Sequence, residues 1–273
     1  MSTEHASEQY IASLIDQTLA DFFSRSLAEA KDVDDHYATL WQNLERLHQS
    51  GGKRIRPKIV VMSYLAFGGK DLEAIIPIAC AQELLHFSML IHDDIIDRDL
   101  VRYGVDNITG SYLHVYEPIV ASPSDRLHYA NSAAILAGDL MIAGAHKLIA
   151  DSTLSADTKI VAMTQMYESI FNVAGGELID TESSFRPIGA IDPLKVTLYK
   201  TASYSFVGPC VIGAQLANAP AAKITLLRDF ATNLGIAYQL TDDLLGVFGD
   251  EAKTGKSNTG DIREGKKTHL IDL

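Results

Sequence analysis

The sequence predicts an all-α protein, and three observations carry that prediction. Apolar residues recur at helical spacing through most of the chain. No apolar–polar alternation bounded by turns suggests a strand. The 19 glycines and 8 prolines are scattered, with no linker-like cluster, so residues 1–273 read as one domain. The predicted helices are long, which favours a bundle.

Tyr10 to Ala30 places Ile11, Leu14, Ile15, Leu19, Phe22 and Phe23 on one helical face, and Asp35 to His48 repeats the pattern with Tyr37, Leu40, Trp41, Leu44 and Leu47. The run Gly51-Gly52-Lys53-Arg54-Ile55-Arg56-Pro57 breaks it: two glycines give a turn, and proline suits the first turn of the next helix. That helix continues from Ile59 to Phe67 and stops at Gly68-Gly69. Asp71 to Asp97 is the longest apolar helical run, with Pro77 as a candidate break or kink. Leu100 to Ser124 reads as a loop with a short helical piece. Helices follow over Asp125 to Ala150 and Asp157 to Asp180, then two stretches within Asp192 to Ala217 separated near Gly208-Pro209, then Ala221 to Val247. Gly249 to Lys267 reads as a polar loop.

The net charge of −12 argues against nucleic acid as a partner and against a basic membrane-binding face. Cys80 and Cys210 sit in apolar helical context and read as buried free thiols of a cytoplasmic protein. The polar N-terminus, with Glu4 and Glu8, does not resemble a signal peptide. No apolar run approaches the ~18 residues of a membrane span.

The chemistry concentrates in Ser88 to Asp97, an apolar helical stretch ending in Asp93, Asp94 and Asp97. At about 100° per residue, Asp97 falls about 40° from Asp93 and one turn along, with His86 about 20° to the other side. Carboxylates stacked beside apolar neighbours do not both ionise cheaply unless a cation sits between them. Mg²⁺, a hard ion that bridges carboxylates to substrate phosphates, suits the place. A second acidic stretch, Gln239-Leu240-Thr241-Asp242-Asp243, presents carboxylates from another helix. Two such segments facing across a bundle would clamp a diphosphate through metal ions and neutralise it as it departs. Lys53, Arg54 and Arg56 at the glycine turn suggest an anion site in this acidic chain. Arg54 is left out of that site, because its neighbours already cover the turn. Thr254-Gly255-Lys256-Ser257 lacks the glycine spacing and the preceding strand of a nucleotide-binding loop.

The order and spacing of Gly51 to Pro57, His86, Asp93 to Asp97, Arg102, Gly138-Asp139, Lys200-Thr201, Gln239 to Asp243 and Gly255 to Thr268 resemble those of the trans-isoprenyl diphosphate synthases of the polyprenyl synthetase family. The resemblance implies an isoprenoid-synthase-type bundle around a deep apolar central cavity, usually as a homodimer. It implies that Asp93, Asp97 and Asp242 ligate Mg²⁺ on an allylic diphosphate (dimethylallyl, geranyl or farnesyl). By the same resemblance Arg102, Lys200, Gln239, Lys256 and Lys266 hold that diphosphate with Thr201 close by, and Arg102, Lys200 and Lys256 assist its departure. Lys53, Arg56 and His86 would bind isopentenyl diphosphate.

Three departures stand out. Arg102-Tyr103-Gly104 replaces the family's usual Arg-Arg-Gly, so one isopentenyl diphosphate contact is missing or taken over by the tyrosine hydroxyl. Gly246 stands where an aspartate is common. The sequence stops at Leu273, where the family usually continues with further helices, which suggests a form lacking the last ones. Ser88 and Met89, near the first acidic motif, are not aromatic plugs, so by family analogy the expected product is geranylgeranyl diphosphate. The competing readings are a class I terpene cyclase and a non-catalytic subunit of a heteromeric prenyltransferase. A cyclase needs no isopentenyl diphosphate site, yet Lys53, Arg56 and His86 are present.

Overall fold

The computed structural model describes residues 8–249. The chain divides into two compact units, Met1–Val61 with Asp71–Leu154 and Met62–Lys70 with Ser155–Leu273.

The first unit holds α1 (Glu8–Val33), α2 (Asp35–Gln49), the start of α3 (Ile55–Ala66), α4 (Leu72–Ile96), α5 (Ile108–Tyr116) and α6 (Pro123–Asp151). The helix starts follow local chemistry. The side chains of Asp34, Asp71, Asn107 and Ser122 accept backbone N–H groups of the first turns, and Pro123 follows the Ser122 cap. The core is aromatic where α1, α2 and α4 meet, with Phe22, Phe23, Trp41, His48 and Phe87 in edge and tilted contacts. Further in, α4 packs along α6. Gly144 admits the ring of Phe22, and Gly138 leaves room for the imidazole of His92.

Three sequence expectations change in this unit. Pro77 does not end the helix, which runs through it from Leu72 to Ile96. The stretch after Asp97 contains a small antiparallel hairpin, β1 (Val101–Arg102) and β2 (Val105–Asp106). Strands of two residues are too short to show alternation in a sequence. Finally, α4 and α6 are each long and apolar enough to cross a membrane by length and composition. An 18-residue window in each meets that test on mean hydropathy, against the expectation that no run would. In α4, 78% of the apolar window is buried inside the protein, as in the core helix of a globular unit.

The second unit holds the end of α3, α7 (Ala156–Ser183), α8 (Pro193–Val196), a π-helical segment Thr197–Val207, α9 (Gly208–Leu216) and α10 (Ala221–Phe248). At the end of α3, Gly68 takes φ +89 and the N–H of Gly69 bonds the Tyr64 carbonyl at 2.9 Å. The expected separation near Gly208-Pro209 is a change of helix type rather than a loop. Pro209 follows the π segment directly, and Val207 before it is itself helical (φ −62, ψ −52), so the helix changes type there without starting anew. The π segment is flanked at close range on two sides. A Cβ on Gly176 of α7 would strike the backbone of Tyr199 and Lys200, and one on Gly235 of α10 would lie 2.6 Å from Ala202 Cα. These two glycines let three helical backbones approach where side chains would hold them apart.

Candidate active site

The acidic cluster of the first unit sits at the C-terminal end of α4, and Asp97 is the residue that caps it. The N–H of Asp97 bonds the Asp93 carbonyl at 2.8 Å. A helix C-terminus already carries partial negative charge, so carboxylates there add to it and favour a cation. Along the last turns of α4, His86, Met89, Leu90, Asp93 and Asp97 keep partial exposure, whereas Phe87, Ser88, Ile91 and Asp94 are buried. The partly exposed positions follow helical spacing, so His86 and the two outer aspartates share one stripe as the sequence reading expects.

Asp94 takes a different role. Its carboxylate accepts from Arg102 Nε at 2.7 Å, and Arg102 Nη2 reaches Asp93 Oδ2 at 3.5 Å. Burial pushes the Asp94 carboxyl up to about 6, with the Arg102 guanidinium opposing that rise. Its Oδ2 is buried without a hydrogen-bond partner. Arg102 is thus held against the acidic cluster it was expected to serve.

The turn Gly51 to Arg56 is built around the residue that the sequence reading set aside. Arg54 lies in the left-handed region with φ +50, beside Gly52 at φ +106. Its guanidinium donates to the carbonyls of Gly51 (3.1 Å) and His48 (2.9 Å) and to Glu83 Oε1 on α4 (2.9 Å). The Arg54 and Glu83 side chains are 17% and 4% exposed, so this is a buried ion pair. It ties the turn to α4 and leaves Lys53 exposed and Arg56 half-buried nearby. Because Arg54 can only donate, His48 Nδ1 at 3.3 Å is the acceptor. Burial, then the charge of Arg54, push the His48 imidazole down to about 3. His86 is also held well below its ordinary value, by burial first and then by Arg56, Arg102 and Arg54. Both imidazoles are therefore neutral at pH 7.

In the second unit, Lys200 and Thr201 lie on the π segment and point to different neighbours. Lys200 Nζ meets Asp180 Oδ2 at 2.7 Å and Glu177 Oε2 at 2.9 Å on α7. The Thr201 hydroxyl donates to Gln239 Oε1 at 2.8 Å, and Gln239 Nε2 donates to Asp243 Oδ1 at 2.8 Å on α10. Asp243 is buried and Asp242, one position before it, is half-buried. Lys256 and Lys266 lie outside the described residues.

Sequence reasoning missed Asp94, Glu83, Glu177 and Asp180 as partners of the basic groups. The spacing Gly176-Glu177-x-x-Asp180 did carry a signal, since acids at i and i+3 share a helix face.

Among the described residues no group of three or more His, Cys, Asp or Glu side chains is placed to hold a metal ion by itself. Mg²⁺ ordinarily takes one or two carboxylates and completes its shell with water and substrate phosphates. The oxygen-only donors at the end of α4, together with the unpartnered Asp94 Oδ2, fit that ion.

A helical chain bearing two acidic helix segments, the first beside the Arg102 guanidinium and the second bonded through Gln239 to the threonine that follows Lys200, has the makings of an all-α prenyltransferase. Comparison with known proteins specifies the family. The sequence pattern of the family described as polyprenyl synthetase matches residues 38–272. The chain is 36% identical to the geranylgeranyl diphosphate synthase of Sulfolobus acidocaldarius, over 92% of this chain and 73% of that protein. It is 34% identical to the geranylfarnesyl diphosphate synthase of Aeropyrum pernix, over 94% and 74%. Among solved structures, the geranylgeranyl pyrophosphate synthase of Corynebacterium glutamicum, complexed with isoprenyl diphosphate and magnesium, superposes with a TM-score of 0.89 at 32% identity. That match covers 97% of this chain and 75% of the other. The chain belongs to the polyprenyl synthetase family.

Proposed function

We propose that the protein condenses isopentenyl diphosphate head to tail with an allylic diphosphate (dimethylallyl, geranyl or farnesyl), and that the main product is geranylgeranyl diphosphate. The carrying observation is the stripe on α4 in which His86 and the paired aspartates share one face beside the cation turn. The names of the relatives support the same reading. The family match across 38–272 supports treating the chain as one polyprenyl synthetase domain.

In this reading Asp93, Asp97 and Asp242 hold Mg²⁺, which when bound supplies positive charge against the departing diphosphate. Arg102, Lys200, Gln239 and Thr201 hold the allylic diphosphate, with Lys256 and Lys266 assigned the same task. Lys200 exchanges its Glu177 and Asp180 partners for phosphate oxygens, and Arg102 does the same with Asp94. Lys53 and Arg56 bind the isopentenyl diphosphate, and neutral His86 donates an N–H to it. The allylic C–O bond breaks, the isopentenyl double bond forms the new C–C bond to the allylic carbon, and the departing diphosphate takes the released proton. Met89 and Leu90 present apolar surface where water would trap a carbocation. A homodimer belongs to this reading, supported by exposed Tyr167 and Phe171 on α7. A reducing cytoplasm is supported by the two free, buried cysteines.

Incubating the purified chain with Mg²⁺, isopentenyl diphosphate and each allylic starter, then sizing the products, tests the proposal. Geranylgeranyl diphosphate is the expected product. Hydrocarbon made from one substrate alone would indicate a cyclase, and no product would indicate a non-catalytic subunit. Met89→Phe is expected to shift the products to shorter chains. Ser88 is a poorer probe than Met89, because it is fully buried in the core and phenylalanine there would overpack it.

A further inference from the structure

The hairpin after α4 turns through Tyr103-Gly104, with Arg102 paired to Val105 and Val101 to Asp106. Both turn residues have positive φ, +55 and +77, as a two-residue type I′ turn requires. Glycine, asparagine and aspartate suit such positions, and a bulky aromatic there is locally disfavoured. A compensating contact is present. The Tyr103 ring lies flat against the backbone of Gly51, so that a Cβ at position 51 would fall 2.6 to 2.9 Å from ring carbons Cγ, Cδ1 and Cδ2. Gly51 is also held through its carbonyl, which accepts from Arg54. Tyr103 also lines a small pocket together with Glu83, His86 and Leu90. Its neighbour Arg102 reaches the acidic end of α4. Two adjacent hairpin residues thus touch the two polar clusters of this unit, one each.

We propose that Tyr103 is a positioning residue for the isopentenyl diphosphate subsite. Its ring, not its hydroxyl, seats Gly51 and through it sets how the turn presents Lys53 and Arg56. This rests on the prenyltransferase reading above, in which those two cations bind isopentenyl diphosphate.

The test uses steady-state kinetics of the full chain with Mg²⁺, varying isopentenyl diphosphate at saturating farnesyl diphosphate. Tyr103→Ala is expected to raise KM for isopentenyl diphosphate about tenfold, as loss of positioning does, while kcat and KM for farnesyl diphosphate change by less than about twofold. Tyr103→Phe is expected to restore the parent value. Gly51→Ala, which forces the ring away, should raise the same KM, and adding Tyr103→Ala to it should cost less than the two separate effects combined. If phenylalanine fails as alanine does, the hydroxyl is the working part and the proposal is overturned. An unchanged KM in Tyr103→Ala overturns it as well, as does a common fall in kcat and rise in both KM values. Failure of the parent to make any product would instead sink the prenyltransferase reading. Amide hydrogen exchange then decides the ring's role independently of turnover: exchange across 51–56 is expected to accelerate in Tyr103→Ala and not in Tyr103→Phe, and no acceleration overturns the positioning role.

Discussion

The two units place their charged groups by opposite means. In the first, the charged groups sit where helices begin and end: Lys53 on the glycine turn, Arg56 in the first turn of α3, Asp93 in the last turn of α4 and Asp97 at its cap. Precision there comes from polar anchors, chiefly the buried Arg54–Glu83 pair and the Arg102–Asp94 bond. In the second, Lys200 and Thr201 sit inside continuous helix, on a π-helical segment, and precision comes from backbone contact through Gly176 and Gly235. One unit is pinned by charge and the other by shape. Substitutions of the same chemical kind should therefore behave differently in the two.

The largest effect is expected at the acidic cap. Asp93→Ala should lower turnover about a thousandfold, on the scale of removing a group that stabilises developing charge, with the thermal midpoint unchanged. Initial rates at saturating Mg²⁺ check it. Next come the anchors. Arg54→Met strands Glu83 in the core and should cost about 3–5 kcal/mol in urea unfolding, whereas Lys53→Met on the exposed side of the same turn should stay within about 0.5 kcal/mol. Equal costs would break the contrast between anchor and presented cation.

The anchors also predict a pH dependence. With its imidazole pushed down to about 3, His48 binds fewer protons folded than unfolded between that value and 6.5. Stability therefore rises with pH across that window and is lost on acidification, by about 3 kcal/mol at pH 4 from this group. His86 acts in the same direction, and the raised Asp94 carboxyl acts against it. The difference in slope between parent and His48→Asn, from unfolding curves at pH 4 to 7, isolates the His48 share.

The smallest effect sharpens the shape side of the comparison. Gly176→Ala meets the backbone of the π segment and should destabilise by about 1–3 kcal/mol. Gly175→Ala, one residue earlier with nothing within 4 Å, should stabilise by about 0.5–1 kcal/mol, because alanine is the better helix former. Opposite signs at adjacent glycines, read from thermal or urea unfolding, would establish backbone approach as the constraint.

This contrast also explains what was legible in the sequence. Helix ends announce themselves through caps, glycines and a change of periodicity, so the limits of α1, α2, α4 and α10 agree with the expected ranges within a few residues. The acidic stripe of α4 is legible for the same reason, since a 3.6-residue period fixes which residues share a face. A π segment leaves no such mark, and the run around Gly208-Pro209 reads as an interruption when it is a continuous change of helix type. The importance of Arg54 was also hidden. Its burial depends on Glu83, 29 residues away in the chain, and no local pattern joins the two. Lys200 is similar: the sequence shows a cation beside a threonine, but not that Glu177 and Asp180 grip it.

The cysteines have a practical use that follows from where they fall. The chain has two, Cys80 in the first unit and Cys210 in the second, both buried and both with thiols pushed up by burial, Cys210 to about 11. A thiol reagent at neutral pH finds neither until its surroundings come apart. Labelling speed at each sulfur is thus a stopwatch for the opening of its own half, and a peptide map of the labelled protein would time both halves in a single tube.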